Sequence, residues 1–69
     1  MKSTIYLDGV IAKCINPIKY DVYIPHLNEN RHCKRGSKCP KLTNGDLVTI
    51  EFSIYDMDLN NGKIINSYK

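Results

Sequence analysis

Val48-Thr49-Ile50-Glu51-Phe52-Ser53-Ile54-Tyr55 decides the fold. Val48, Ile50, Phe52 and Ile54 share one parity, and Thr49, Glu51, Ser53 and Tyr55 the other. Side chains alternate across a strand, so this period of two describes a ribbon with one apolar and one polar face. Thr43-Asn44-Gly45-Asp46 before it is a turn. Asn61-Gly62 beyond it is a tight-turn signal, so the sequence predicts that Lys63 to Tyr68 returns antiparallel as the last strand.

The same reading extends towards the N-terminus. Ile18, Tyr20, Val22 and Ile24 alternate with Lys19, Asp21 and Tyr23 after the Asn16-Pro17 turn, giving a second half-buried strand. From Thr4 to Ile15 a first strand carries an irregularity. Ile5 and Leu7 take one parity, and Val10, Ala12 and Cys14 the other. A switch at Asp8-Gly9 is the trace that a β-bulge leaves in a sequence. Residues 25–42 have few apolar side chains and no clean period. A structureless stretch of that length is out of place in so small a domain, so a short strand is expected within residues 30–36, with a turn or loop around Gly36. No helical period occurs. Val48, Ile50, Phe52, Ile54, Val22 and Ile24 are expected together in the core, with Tyr20 on their side.

Sixty-nine residues form one domain, residues 1–69. Five strands closing on themselves remove the free edges that an open sheet of this size would expose, so the expected class is all-β: a small five-stranded Greek-key barrel of the OB type. Apolar residues make up 42% and charged residues 25% of the chain, as in a folded domain and not a disordered tail. No apolar run is long enough for a membrane span or a signal-peptide core. The expected setting is the cytosol, or an organelle stroma or matrix. Isoleucine, asparagine and lysine are heavily used, a bias of AT-rich coding DNA without chemical meaning.

The net charge of +3 is unevenly placed. Arg31, Lys34, Arg35, Lys38 and Lys41 put half of the ten basic residues into eleven positions that hold no acid. Such a segment is often a solvated loop. On an OB barrel it is also the means of tracking a phosphate backbone, while bases stack on exposed aromatic rings. Tyr23, on the polar side of the second strand, is placed for stacking, and Tyr55 and Tyr6 are further candidates. The RNA-binding candidates are therefore Arg31, Lys34, Arg35, Lys38, Lys41, Tyr23 and Tyr55.

Two histidines and two cysteines, His26, His32, Cys33 and Cys39, raise the question of zinc. The five-residue gap from Cys33 to Cys39 is wider than zinc motifs use, and adjacent His32 and Cys33 on a strand point to opposite faces. No metal and no cofactor is expected. Cys14, Cys33 and Cys39 are an odd set without an export signal, so free thiols are the expectation. No Gly-rich phosphate loop or paired acid and base is present, and a His32-Cys33 dyad lacks an orienting third group, so no catalysis is expected.

Two stretches resemble the translation initiation factor one family of bacteria and plastids, and more distantly its archaeal and eukaryotic counterpart. The first is Leu7-Asp8-Gly9-Val10-Ile11-Ala12-Lys13 with Asn16-Pro17 and Tyr20-Asp21-Val22-Tyr23-Ile24. The second is Leu42-Thr43-Asn44-Gly45-Asp46, Val48-Thr49-Ile50-Glu51-Phe52, Tyr55-Asp56 and Gly62-Lys63-Ile64-Ile65. The middle departs from the family, which carries Ser-Gly-Lys-x-Arg-Lys where this chain has Cys33-Lys34-Arg35-Gly36-Ser37-Lys38. The distance from Gly9 to Gly45 is also a few residues shorter. The resemblance implies an RNA-binding factor, monomeric when free, that occupies the decoding site of the small ribosomal subunit during initiation, contacting ribosomal RNA. Lys34, Arg35 and Lys38 would stand for the family's basic loop, and Lys63 for its basic residue after glycine. Two other readings remain open on the residues alone: a general single-stranded nucleic-acid-binding OB protein, cellular or viral, and a protein-binding OB adaptor.

Overall fold

A computed structural model describes residues 4–37, 39 and 41–68. Five strands follow one another: β1 (Thr4–Asn16), β2 (Lys19–Ile24), β3 (Glu29–Arg35), β4 (Leu47–Ser53) and β5 (Gly62–Ser67). They close in the order β1-β2-β3-β5-β4, with β4 returning to β1. Every pairing is antiparallel except β3 with β5, which is parallel. This is the five-stranded OB barrel, and the described residues contain no helix.

Closure depends on β1, which is long enough to serve two neighbours. Thr4 to Val10 pair with β4, and Val10 to Asn16 pair with β2. The expected bulge at Asp8-Gly9 is corrected: the ladder from Thr4 to Val10 is regular, and the register shifts fall between Ile11 and Lys13 and between Cys14 and Asn16. Leu7, Gly9 and Ile11 thus keep one inward parity through the glycine. An inward Gly9 has no side chain, so the apolar pattern looks broken there although the backbone is not. An ideal Cβ on Gly9 would stand 2.6 Å from Cγ1 of Val22, which leaves room for hydrogen alone.

The core comprises Ile11, Tyr20, Val22, Ile24, Cys33, Cys39, Leu42, Val48, Ile50, Phe52 and Ile64. Leu7, Leu27 and Leu59 pack against it in part. Val22, Ile24, Val48, Ile50 and Phe52 are buried together as expected. Ile54 is not: β4 ends at Ser53, and Ile54 turns into solvent at 46% exposure. Ile18, which shares the inward parity of β2, precedes the strand and is also exposed.

The Thr43-Asn44-Gly45-Asp46 turn forms as read. Gly45 adopts a φ of 90°, and Asp46 Oδ2 accepts from the Thr43 amide at 2.8 Å. The turn docks on β1, where the Gly45 amide donates to the Ile11 carbonyl at 2.7 Å.

The Asn61-Gly62 hairpin turn is a correction. Eight residues, 54–61, separate β4 from β5, and Gly62 is a buried strand residue. Its glycine serves packing: an added Cβ would meet Ile50 Cγ2 and Phe52 Cε1 at 2.7 Å and Cys33 Sγ at 2.9 Å. The loop is ordered by Asp56, whose carboxylate accepts from the amides of Asn60 at 3.2 Å and Asn61 at 2.7 Å.

Candidate nucleic-acid interface

On the outer face of β2, β3 and β5 three lysines fall into register. Lys19 of β2 pairs with Lys34 of β3, and Lys34 with Lys63 of β5. Each alternates with an inward residue, since Tyr20, Cys33, Gly62 and Ile64 are buried on either side. Neighbouring strands lie about 4.8 Å apart, so the three lysines form a row across the strands. The row ends at Glu51 of β4, which pairs with Lys63. Like charges directly opposite one another destabilise a sheet. The Lys63–Glu51 pair relieves one end of the row, and Lys34 stands between two like charges.

The row lies in a groove of about 780 Å³. Lys19, Lys34, Lys63, Arg31 and Arg35 supply its cations, and Asn30, His32, Ser37, Asn60 and Asn61 supply further polar groups. Among the described residues Asp21 is the one acid in its lining. Asn60 and Asn61 reach the groove because Asp56 holds their loop.

Cys33 lies under this surface with its side chain inward. Burial, reinforced by the negative charge of Asp21 and opposed by Arg31, raises its thiol from an ordinary 9.0 to about 12. Cys39 is buried too and donates its S–H to the Ile64 carbonyl at 3.2 Å, while Cys14 is exposed. His26 and His32 are exposed, so His32 and Cys33 do take opposite faces. Among the described residues no group of three or more His, Cys, Asp or Glu is arranged to hold a metal ion.

No protein-family profile matches the sequence, and no curated protein sequence matches it. A match does come from solved structures. The solution structure of translation initiation factor one from the Wolbachia endosymbiont of Brugia malayi superposes on this barrel with a TM-score of 0.75 and 25% sequence identity. The match covers 99% of this chain and 82% of that one. The chain has the OB fold, and its barrel is similar to that of initiation factor one. The superposition extends over almost the whole length of this chain although the identity is 25%.

Within this initiation-factor-one-like barrel the candidate residues separate into groups. Lys34, Arg35 and Lys63 come together in the groove. Lys34 and Arg35 are not in a loop, however: they are the last two residues of β3, and the chain leaves the strand at Gly36. Arg31 lines the groove but is engaged. It pairs with Glu29 at 2.9 Å and donates to the carbonyls of Asn30 at 3.0 Å and Asp58 at 3.3 Å. Lys41 is exposed and stands apart from the groove lining, and Lys38 lies outside the described residues.

The tyrosines are elsewhere on the surface of this initiation-factor-one-like protein. Tyr23 is on the outer face of β2, where its hydroxyl donates to Asn28 Oδ1 at 2.8 Å. Tyr55, at 78% exposure, is on the β4–β5 loop, and Tyr6 is opposite Glu51 on the β1–β4 side. None of the three lines the groove. Lys19 is the residue that sequence reasoning missed. It stands in the sequence only as a polar position in an alternating strand, and its meaning depends on the strand that pairs beside it.

Proposed function

We propose that the protein is a non-catalytic translation initiation factor, similar to initiation factor one, that binds ribosomal RNA of the small subunit at the decoding site, with the Lys19-Lys34-Lys63 row on phosphates. The observation that carries this is the row itself: three like charges on adjacent strands, with Arg35 beside them, in one groove. Neutralising phosphates is what such a row does best, and a compact barrel enters a pocket of folded RNA by doing so. The likeness to initiation factor one supplies the initiation setting. The protein acts as a monomer in the cytosol or an organelle stroma or matrix and performs no chemistry of its own.

A general single-strand binder would carry stacking rings along its cation track. Here Tyr6, Tyr23 and Tyr55 lie off the groove and His32 is the one ring in its lining among the described residues, too few for a stacking track, which favours folded RNA over an arbitrary single strand. The adaptor reading leaves the lysine row without a purpose.

Salt dependence of RNA binding tests the role of the row. Four cations on phosphates give a log-log slope of about −3 with single-stranded RNA, and each lysine replaced by glutamine reduces it by about 0.7. A slope near zero, or one unchanged in the Lys19, Lys34 and Lys63 variants, would overturn the assignment.

A further inference from the structure

The lysine row does not account for Asp21. A carboxylate beside a phosphate track repels the ligand and slows its encounter, so a groove that bound backbone alone would gain nothing from it. The cations of the groove do not neutralise it either. Among the described residues its partners are Asn30, whose Nδ2 donates to Oδ2 at 3.1 Å, and His32, whose Nε2 stands 4.0 Å from Oδ1. Lys13 is its cross-strand neighbour on β1. The Asp21 side chain is 24% exposed, and the His32 side chain beside it 61%.

An ionised carboxylate offers about four acceptor positions, and the Asn30 amide takes one. What remains suits two parallel N–H donors, as in the paired hydrogen bonds that carboxylates accept elsewhere. Among the RNA bases that pattern belongs to the Watson–Crick edge of guanine, where N1–H and the N2 amine stand side by side. Adenine and cytosine present an amine next to an acceptor, and uracil one N–H between two carbonyls.

The placement fits as well. Asp21 lies two residues along β2 from Lys19, and His32 two along β3 from Lys34, and Asp21 and His32 are themselves a cross-strand pair. Two residues along a strand span about 7 Å on one face, so a polar row runs beside the lysine row. A nucleotide with its phosphate on the lysines can lay its base over the polar row, where the exposed imidazole of His32 offers a stacking surface. We infer that Asp21, held by Asn30 and flanked by His32, reads the Watson–Crick edge of an unpaired guanine in the bound RNA. This rests on the RNA-binding reading above and adds a base preference to it.

The test is a titration with short oligouridylates that carry one central guanosine, inosine or adenosine, at fixed salt. The parent protein should bind the guanosine oligomer about tenfold more tightly than the adenosine one, within the range of a bidentate base contact. Inosine, which keeps N1–H but lacks the N2 amine, should fall between them. Asp21→Asn, with a thermal midpoint matching the parent, should lose the preference while binding plain oligouridylate more tightly. Asp21→Ala provides a second variant without the amide.

Salt-dependent binding with no guanosine preference overturns the base reading and leaves the lysine row standing. An unchanged preference in both Asp21 variants overturns it too, because the carboxylate is then only a local charge. If no oligomer binds and the lysine variants match the parent on ribosomal subunits, the RNA-binding reading and this one fall together.

Discussion

Lys34 of β3 and Lys63 of β5 stand side by side in the barrel's parallel pairing, two like charges in register on one face. The barrel closes through this pairing, so the cation pair cannot be relieved by fraying an edge strand. Its cost to stability and its use in binding should therefore separate by mutation.

Lys34→Gln should leave the fold intact and raise its stability slightly, by about 0.2–1 kcal/mol, since it removes a like-charge cross-strand pair on each side. The same change should weaken RNA binding. Urea unfolding and an RNA titration on the same preparation check both; lower stability together with lower affinity would mean that Lys34 is a structural residue.

Phe52→Ala should destabilise the barrel by about 3–5 kcal/mol, because the ring is fully buried at the centre of the core. For a domain this small that is much of its total stability. Thermal denaturation followed by circular dichroism reads the effect, and an unchanged midpoint would contradict the packing of β4.

Gly62→Ala should cost about 1–3 kcal/mol by overpacking, since the new methyl group has no free space against Ile50, Phe52 and Cys33. Asn61→Ala beside it is exposed and should cost much less. Equal effects at the two positions would restore the surface-turn role that the Asn-Gly dipeptide suggests.

Cys33 should resist thiol reagents at neutral pH while exposed Cys14 reacts, because burial holds the Cys33 thiol near 12. The linkage has a definite sign. A thiol whose pKa is raised on folding contributes its full stability below its unfolded value of 9.0 and loses it progressively as pH rises towards about 12. Stability of the parent should thus fall through that window, and that of Cys33→Ala less steeply. Equal labelling of Cys14 and Cys33 in the folded protein would refute the assignment.

How much of the molecule is legible in the sequence depends on whether a signal is local. Val22, Ile24, Val48, Ile50 and Phe52 announce their face through simple alternation, and Gly45 announces its turn. Gly9 and Gly62 mislead, because a glycine chosen for close packing looks in sequence like one chosen for a bend. The basic β3 is visible as a cluster, and Lys63 through the family likeness. Lys19 and Asp21 are not, since the roles proposed for both depend on β3 lying alongside β2. Ile54 shows the limit of periodicity: the alternation continues one step past the last residue that the ladder holds.

Cosedimentation with purified small ribosomal subunits, in the presence of excess bulk RNA, asks whether the lysine row carries the protein to the ribosome. The parent protein should pellet saturably with the subunits and resist the competitor. A folded variant carrying Lys19→Gln, Lys34→Gln and Lys63→Gln should stay in the supernatant, and Lys41→Gln should behave as the parent. Pelleting of the triple variant at the parent's level, or loss of the parent to bulk RNA, would contradict ribosome binding through this row.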